Sequence, residues 1–276
     1  MPGRPGREAM RRLALAGLAC LMAGIATAQE PVLLHAAGSL RGALTEVAQA
    51  FEAQTKLAMK PVYGASGLLH DRIAKGEAAE VFASANLEHP QALAQSGLAG
   101  PAVLFARNEL CAFARGDFAV TSETLLERML DPAVKLGTST PKADPSGDYA
   151  FAVFARAEAL KPGARAALEA KALQLTGSAT SVPAPAGVNV YGHKLASGAA
   201  DLFLAYCTNA RPLAQEQPGI RLVRLPPGLA VGADYGLTVL NGASPNGYRL
   251  AMFILSPQGQ AILAKHGFSA PGLPQE

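Results

Sequence analysis

Ser39, Ser66 and Ser146 are the residues of this 276-residue chain whose types and positions suit binding chemistry. Each lies in a short loop of small residues that leads from an apolar, strand-like run into a stretch with helical spacing. In an open parallel sheet the ligand lies beyond the carboxyl ends of the strands, where such loops enter helices. Amides at a helix start have no partner within the helix and carry a partial positive charge. Two or three such starts converging can therefore hold an oxyanion without a lysine or arginine. Gly38, Gly64, Ala65, Gly67 and Gly147 would let an anion approach the peptide groups closely. The plain alternative is that each hydroxyl caps its own helix, which suffices for one serine taken alone. Three loops of the same kind point to a site.

Other chemistries find less support. Gly64-Ala65-Ser66-Gly67 lacks the second spacer of a nucleophile elbow, and no acid and histidine accompany it, so no catalytic residue is assigned. His35, His70, His89, His193 and His266 are scattered and match no metal-ligand spacing. Asp144 and Asp148 flank the Ser146 loop and read as a solvated turn residue and an acidic first-turn residue. A carboxylate inside the site would instead accept a proton from the ligand and favour a protonated, phosphate-like anion. Cys111 and Cys207 lie in apolar runs; a disulfide and two buried thiols both fit, because spacing does not show whether the two approach.

The elements that would position these loops alternate strand and helix. Val32 to Ala36, Met59 to Tyr63 and Glu80 to Ser84 read as strands, each followed by a turn and an amphipathic helix, which predicts a parallel, doubly wound sheet. The pattern changes near Asn108 and resumes with a strand at Val134 to Gly137 and a helix from Asp148 to Ala159. A proline-rich connection follows at Ser178 to Gly187, then a buried strand at Ala200 to Tyr206. Arg211 to Gly232 carries four prolines and reads as a return path to a last strand at Tyr235 to Leu240 and two closing helices. The expected architecture is α/β with two doubly wound lobes joined by a hinge: residues 29–108 with 233–276 in one lobe and 109–232 in the other. The ligand would lie in the cleft between them.

Arg4, Arg7, Arg11 and Arg12 precede an apolar run from Leu13 to Ile25 that closes on Ala26-Thr27-Ala28, so residues 1–28 read as an export signal cleaved after Ala28. The run is shorter than a membrane span requires, and Gly17 stands where a lipoprotein signal would place Leu. Half of all residues are hydrophobic and 16% charged, which fits a chain that buries a large core. The net charge of +3 resides in the leader arginines, so the exported chain is near neutral and lacks the basic surface a nucleic-acid binder needs.

Through "HAAGSL", "YGASGLLHDRIAKGEAAEVFASA", "DPSGDYA", "LASGAADLFLAYCTNA" and "SPQGQAILAKHGF", the chain resembles the periplasmic molybdate-binding proteins over nearly all of its exported length. The resemblance implies a type II periplasmic binding fold and capture of molybdate or tungstate by Ser39, Ser66, the amide of Ser146, an amide between Val188 and Val190 taken as Val190, and the hydroxyl of Tyr206. It further implies a monomer in the periplasm, no cofactor, no direct protein ligand to the metal, and delivery to the membrane permease of an ABC importer. The chain departs from the family pattern at Thr140, Glu80 and Asn86, where aspartates are commoner, and at Ser146, where alanine is. Sulfate, phosphate or a small carboxylate are therefore alternative ligands. A hydrolase using Ser66 or Tyr206, or a sensor docking on a receptor, are alternative functions on the same scaffold.

Overall fold

The structure is a computed structural model that describes residues 30–271. The proposed export signal and its cleavage point at Ala28 lie outside the described residues, and among these no helix is long and apolar enough to cross a membrane. The first units follow the expected order: β1 (Val32–Ala37), a 3-10 turn (Gly38–Leu40), α1 (Arg41–Thr55), β2 (Met59–Gly64), α2 (Ser66–Ala74), β3 (Val81–Ser84) and α3 (Glu88–Gln95). β1 pairs in parallel with both β2 and β3. Parallel neighbours cannot be joined by a tight turn, so helices make the crossovers. β1 sits inside the sheet with helices on its faces, and its residues are almost all buried, which is why it reads as an unbroken apolar run.

β4 (Val103–Ala114) changes partner partway along its length. Up to Glu109 it pairs antiparallel with β9 (Gly232–Val239). From Leu110 onward it pairs antiparallel with β7 (Leu202–Tyr206) and, from Cys111 to Ala114, with β8 (Arg221–Arg224). With β5 (Leu136–Ser139) and β6 (Leu173–Thr176), one sheet results in the order β2-β1-β3-β9-β4-β7-β5-β6 with β8 off this path, and β4 joins its two halves. The second half contains α4 (Leu125–Leu130), β5 (Leu136–Ser139), α5 (Pro145–Leu160), α6 (Ala164–Lys171), β6 (Leu173–Thr176), α7 (Val190–Ala196) and α8 (Ala210–Glu216). α9 (Pro245–Leu255) and α10 (Pro257–Lys265) return to pack beside β1, β3 and α1.

The expectation of a parallel sheet holds for β2-β1-β3 and β7-β5-β6 but not for β4, β8 and β9. β4 and β9 carry the chain between the halves, β8 lies beside the second part of β4, and antiparallel pairs need no crossover helix. Sequence reading missed the first part of β4, whose Arg107 and Asn108 break the apolar run. It also missed α6 and the short strands β6 and β8, whose outward positions are exposed. Apolar side chains from both halves, Phe51, Phe105, Phe154 and Leu204 among them, are fully buried in one continuous core.

Cys111 of β4 and Cys207, which opens a 3-10 turn after β7, form a disulfide across Cα atoms 5.0 Å apart. This resolves the two alternatives for these cysteines. Because Cys207 follows Tyr206, the bond fixes the end of β7 against β4.

Candidate functional site

The loops at the carboxyl ends of β1, β2 and β5 carry Ser39, Ser66 and Ser146, Tyr206 ends β7 itself, and Val190 opens the helix that follows β6. Ser39 lies in the 3-10 turn after β1, with its Oγ 3.0 Å from the Tyr235 hydroxyl. Tyr235 accepts an N–H from Asn108 at 3.2 Å, so its own proton is free to point to Ser39, whose proton can then point onward to a ligand. Asn108 also donates to Thr208 at 2.9 Å, and this polar chain crosses the joint between the halves. Ser66 opens α2 and is buried; its Oγ accepts the Ala85 amide at 3.1 Å and keeps its own proton to donate.

Ser146 is the second residue of α5, which Pro145 opens and Asp144 caps. The Ser146 amide, a candidate donor to an anion, gives its hydrogen to Asp144 Oδ1 at 3.0 Å. Its hydroxyl is wholly buried and has no partner. Val190 opens α7, where the Asn189 side chain takes the amides of Tyr191 and Gly192 and leaves that of Val190 uncapped. Tyr206 ends β7, and its hydroxyl is likewise buried without a partner. Leaving a buried hydroxyl unpaired costs about 1 to 3 kcal/mol, a cost that a polar ligand reaching Ser146 and Tyr206 would relieve; among the described residues His35, Tyr63, His89, Arg115 and Thr138 also hold a buried unpaired atom.

Gly67 shows how the halves meet. Its amide donates to the Ala143 carbonyl at 3.0 Å, and a methyl group on Gly67 would collide with the carbonyls of Lys142 and Ala143. Gly147 has no room for a side chain either, because a Cβ there would stand 2.6 Å from the backbone of Ser139, Thr140 and Pro141. The bare faces of both glycines thus meet protein backbone. Their smallness serves packing and not, as the sequence suggested, close approach of an anion.

Tyrosines wall the junction. The Tyr206 ring stands 5.5 Å from that of Tyr235 and 6.2 Å from that of Tyr149, edge to face in both pairs. Burial is the main force raising the pKa of Tyr149, Tyr191, Tyr206 and Tyr235 above the usual phenol value, so all four remain neutral donors at physiological pH. Sequence reasoning picked out only Tyr206 of this group. The others come from α5, α7 and β9, and nothing local in their segments marks them.

Asp144 is not the solvated turn residue the sequence suggested. The residue keeps partial exposure, but protein surrounds its carboxyl, and burial pushes its pKa up to about 6 against the opposing pull of the Ser146 amide. The positions where aspartates are commoner have structural duties here. Glu80 accepts the Leu33 amide at 2.9 Å and the Ser244 amide at 3.0 Å, Asn86 accepts from Ser84 and the His89 amide at the start of α3, and Thr140 donates to the Thr176 carbonyl. Among the described residues no group of three or more His, Cys, Asp or Glu side chains could hold a metal ion.

A family model described as bacterial extracellular solute-binding protein matches residues 32–269. The chain belongs to this family. This solute-binding protein is 36% identical over 203 residues to the uncharacterized protein PM1146 of Pasteurella multocida (strain Pm70), covering 73% of this chain and 84% of the relative. Its fold matches the periplasmic molybdate-binding protein of Azotobacter vinelandii with a TM-score of 0.69 at 21% identity, over 88% of this chain and all of that one. It matches the sulfate-binding protein SubI of Mycobacterium tuberculosis H37Rv with a TM-score of 0.71 at 15% identity, over 88% of each chain. The substrate-binding domain of a molybdenum ABC transporter from Clostridium difficile matches with a TM-score of 0.60 at 21% identity, over 87% of this chain and 98% of that domain. The solute-binding protein thus has the type II periplasmic binding fold.

Proposed function

We propose that this solute-binding protein captures a tetrahedral oxyanion, molybdate or tungstate, between its two sheet halves and delivers it to the membrane permease of an ABC importer. The observation that carries the reading is the pair of buried, unpartnered hydroxyls of Ser146 and Tyr206. In this reading residues 29–108 with 233–276 and residues 109–232 act as two lobes that close on the ligand, and the protein works as a monomer in the periplasm after export. The fold neighbours that bind molybdate and sulfate support an oxyanion as the cargo.

The anion's charge would be met by hydroxyls and by the uncapped amide at the start of α7, with the metal enclosed by its own oxygens and taking no protein ligand. Hydrogen bonds to a charged group contribute about 1.5 to 3 kcal/mol each, so a handful of them, less the costs of desolvation and closure, support micromolar or tighter binding. The donors offered by Ser39, Ser66, Ser146 and Tyr206 are neutral hydroxyls, which suits a protein that binds and releases its cargo unchanged.

The test is calorimetric titration of the mature protein, unfolded and refolded to strip carried-over ligand, with molybdate, tungstate, sulfate and phosphate. Tight binding of molybdate and tungstate is the expected result. Silence of all four would remove the oxyanion reading and leave only the solute-binding family.

A further inference from the structure

Asn108 stands where β4 exchanges β9 for β7, and its side chain bonds residues of both sheet halves. Its Oδ1 accepts the Glu109 amide at 2.9 Å, which fixes the way the side-chain amide faces: Nδ2 donates to the Thr208 hydroxyl at 2.9 Å and to that of Tyr235 at 3.2 Å. An amide nitrogen cannot accept, and the Tyr206 hydroxyl makes no bond to Tyr235. Among the described residues the acceptor in reach of the Tyr235 proton is therefore Ser39 Oγ, 3.0 Å away. The order of protons runs from Asn108 to Tyr235 to Ser39. Tyr235 is fully buried, whereas Ser39 is half-buried beside the exposed Gly38, so the relay starts in the core and ends where a ligand can reach.

Ser66 reaches the same condition by another route, since its Oγ accepts the Ala85 amide at 3.1 Å. Each serine oxygen thus already accepts from the protein, and among the described residues neither hydroxyl has a protein acceptor for its own proton. Such a hydroxyl suits an anion oxygen that only accepts. An anion that carries a proton points it at oxygens that are already accepting, and that proton is left without a good partner.

We infer, resting on the oxyanion reading above in which Ser39 contacts the anion, that Asn108 and Tyr235 are specificity-determining positioning residues. They fix Ser39 as a donor and so favour fully ionised oxyanions, such as molybdate, over oxyanions that keep a proton, such as phosphate. Neither residue touches the anion: Tyr235 acts through Ser39, and Asn108 acts through Tyr235.

Competition calorimetry on the full exported protein at pH 7, with molybdate as ligand and inorganic phosphate as competitor, tests this. Tyr235→Phe keeps the ring and frees the Ser39 oxygen to accept, so the ratio of molybdate affinity to phosphate affinity should fall about tenfold. A contact that only supported the fold would weaken both anions alike and leave the ratio where it was. In a Ser39→Ala background Tyr235→Phe should move the ratio no further, because the relay then has no hydroxyl to act on. Asn108→Leu removes the donor that sets the Tyr235 proton and should shift the ratio in the same direction, which keeps the test open should Tyr235→Phe fail to fold. A ratio that both variants leave unchanged, including phosphate that competes no better in them than in the wild type, overturns the relay while molybdate binding leaves the oxyanion reading in place. A wild type that binds phosphate as tightly as molybdate overturns the relay as well. Silence of the wild type toward both anions overturns the relay and the oxyanion reading together.

Discussion

The hydroxyls of Ser146 and Tyr206 separate ligand binding from folding at the scale of single residues. Each is buried without a partner in the protein, which costs about 1 to 3 kcal/mol, so removing either hydroxyl should leave stability unchanged or raise it. Ser146→Ala and Tyr206→Phe are therefore expected to unfold no earlier than the wild type while binding oxyanion roughly ten- to a hundredfold more weakly. Thermal unfolding and calorimetry on the same preparations check both halves of this expectation. Earlier unfolding with unchanged affinity would make these hydroxyls structural. Ser66→Ala is a less clean probe, because the Ser66 Oγ also satisfies the Ala85 amide and its loss would leave a buried donor unpaired. The serines were legible because small residues before a helix are a local signal. Asp144 was misread because the enclosure of its carboxyl depends on Gly177 and Tyr191, neither of which is its chain neighbour.

Among the elements, β4 and β7 have the greatest influence on the site, since Tyr206 is the last residue of β7 and pairs with Leu110 just where β4 exchanges β9 for β7. The Cys111–Cys207 bond spans 96 residues and pins this corner. Closing so long a loop restricts the unfolded chain, and replacing both cysteines with alanine should lower the unfolding free energy by about 2 to 4 kcal/mol. Because Cys207 adjoins Tyr206, the same change should also weaken anion binding. Denaturant titration with and without reductant measures the first effect and calorimetry the second; a wild type that reductant leaves unaffected in both would count against this role. The alternating helices and strands were readable from their periodicity, but β6 and β8 were not, since short strands with exposed positions carry little apolar signal.

For the whole molecule, the decisive contact is the one between the start of α2 and the loop before α5, where the Gly67 amide meets the Ala143 carbonyl. Helix propensity alone favours alanine over glycine by about 1 kcal/mol, yet a methyl group at Gly67 collides with two carbonyls across this contact. Gly67→Ala should therefore keep or gain stability within its own helix but hold the halves apart. Its expected signature is weaker oxyanion binding and a larger radius of gyration with ligand present, read by small-angle scattering; wild-type compaction and affinity would show that the halves need not meet here to bind. The chain's local order of residues was enough to determine the α/β class, the strand-to-helix loops and the serines within them, because periodicity and turn chemistry act over a few neighbours. Tertiary structure alone decided that β4 and β9 run antiparallel across the joint, that Cys111 reaches Cys207, that Tyr149, Tyr191 and Tyr235 gather around Tyr206, and that a carboxyl is enclosed beside Ser146. Each of these depends on groups brought together from distant parts of the chain, and on the burial that follows when they pack.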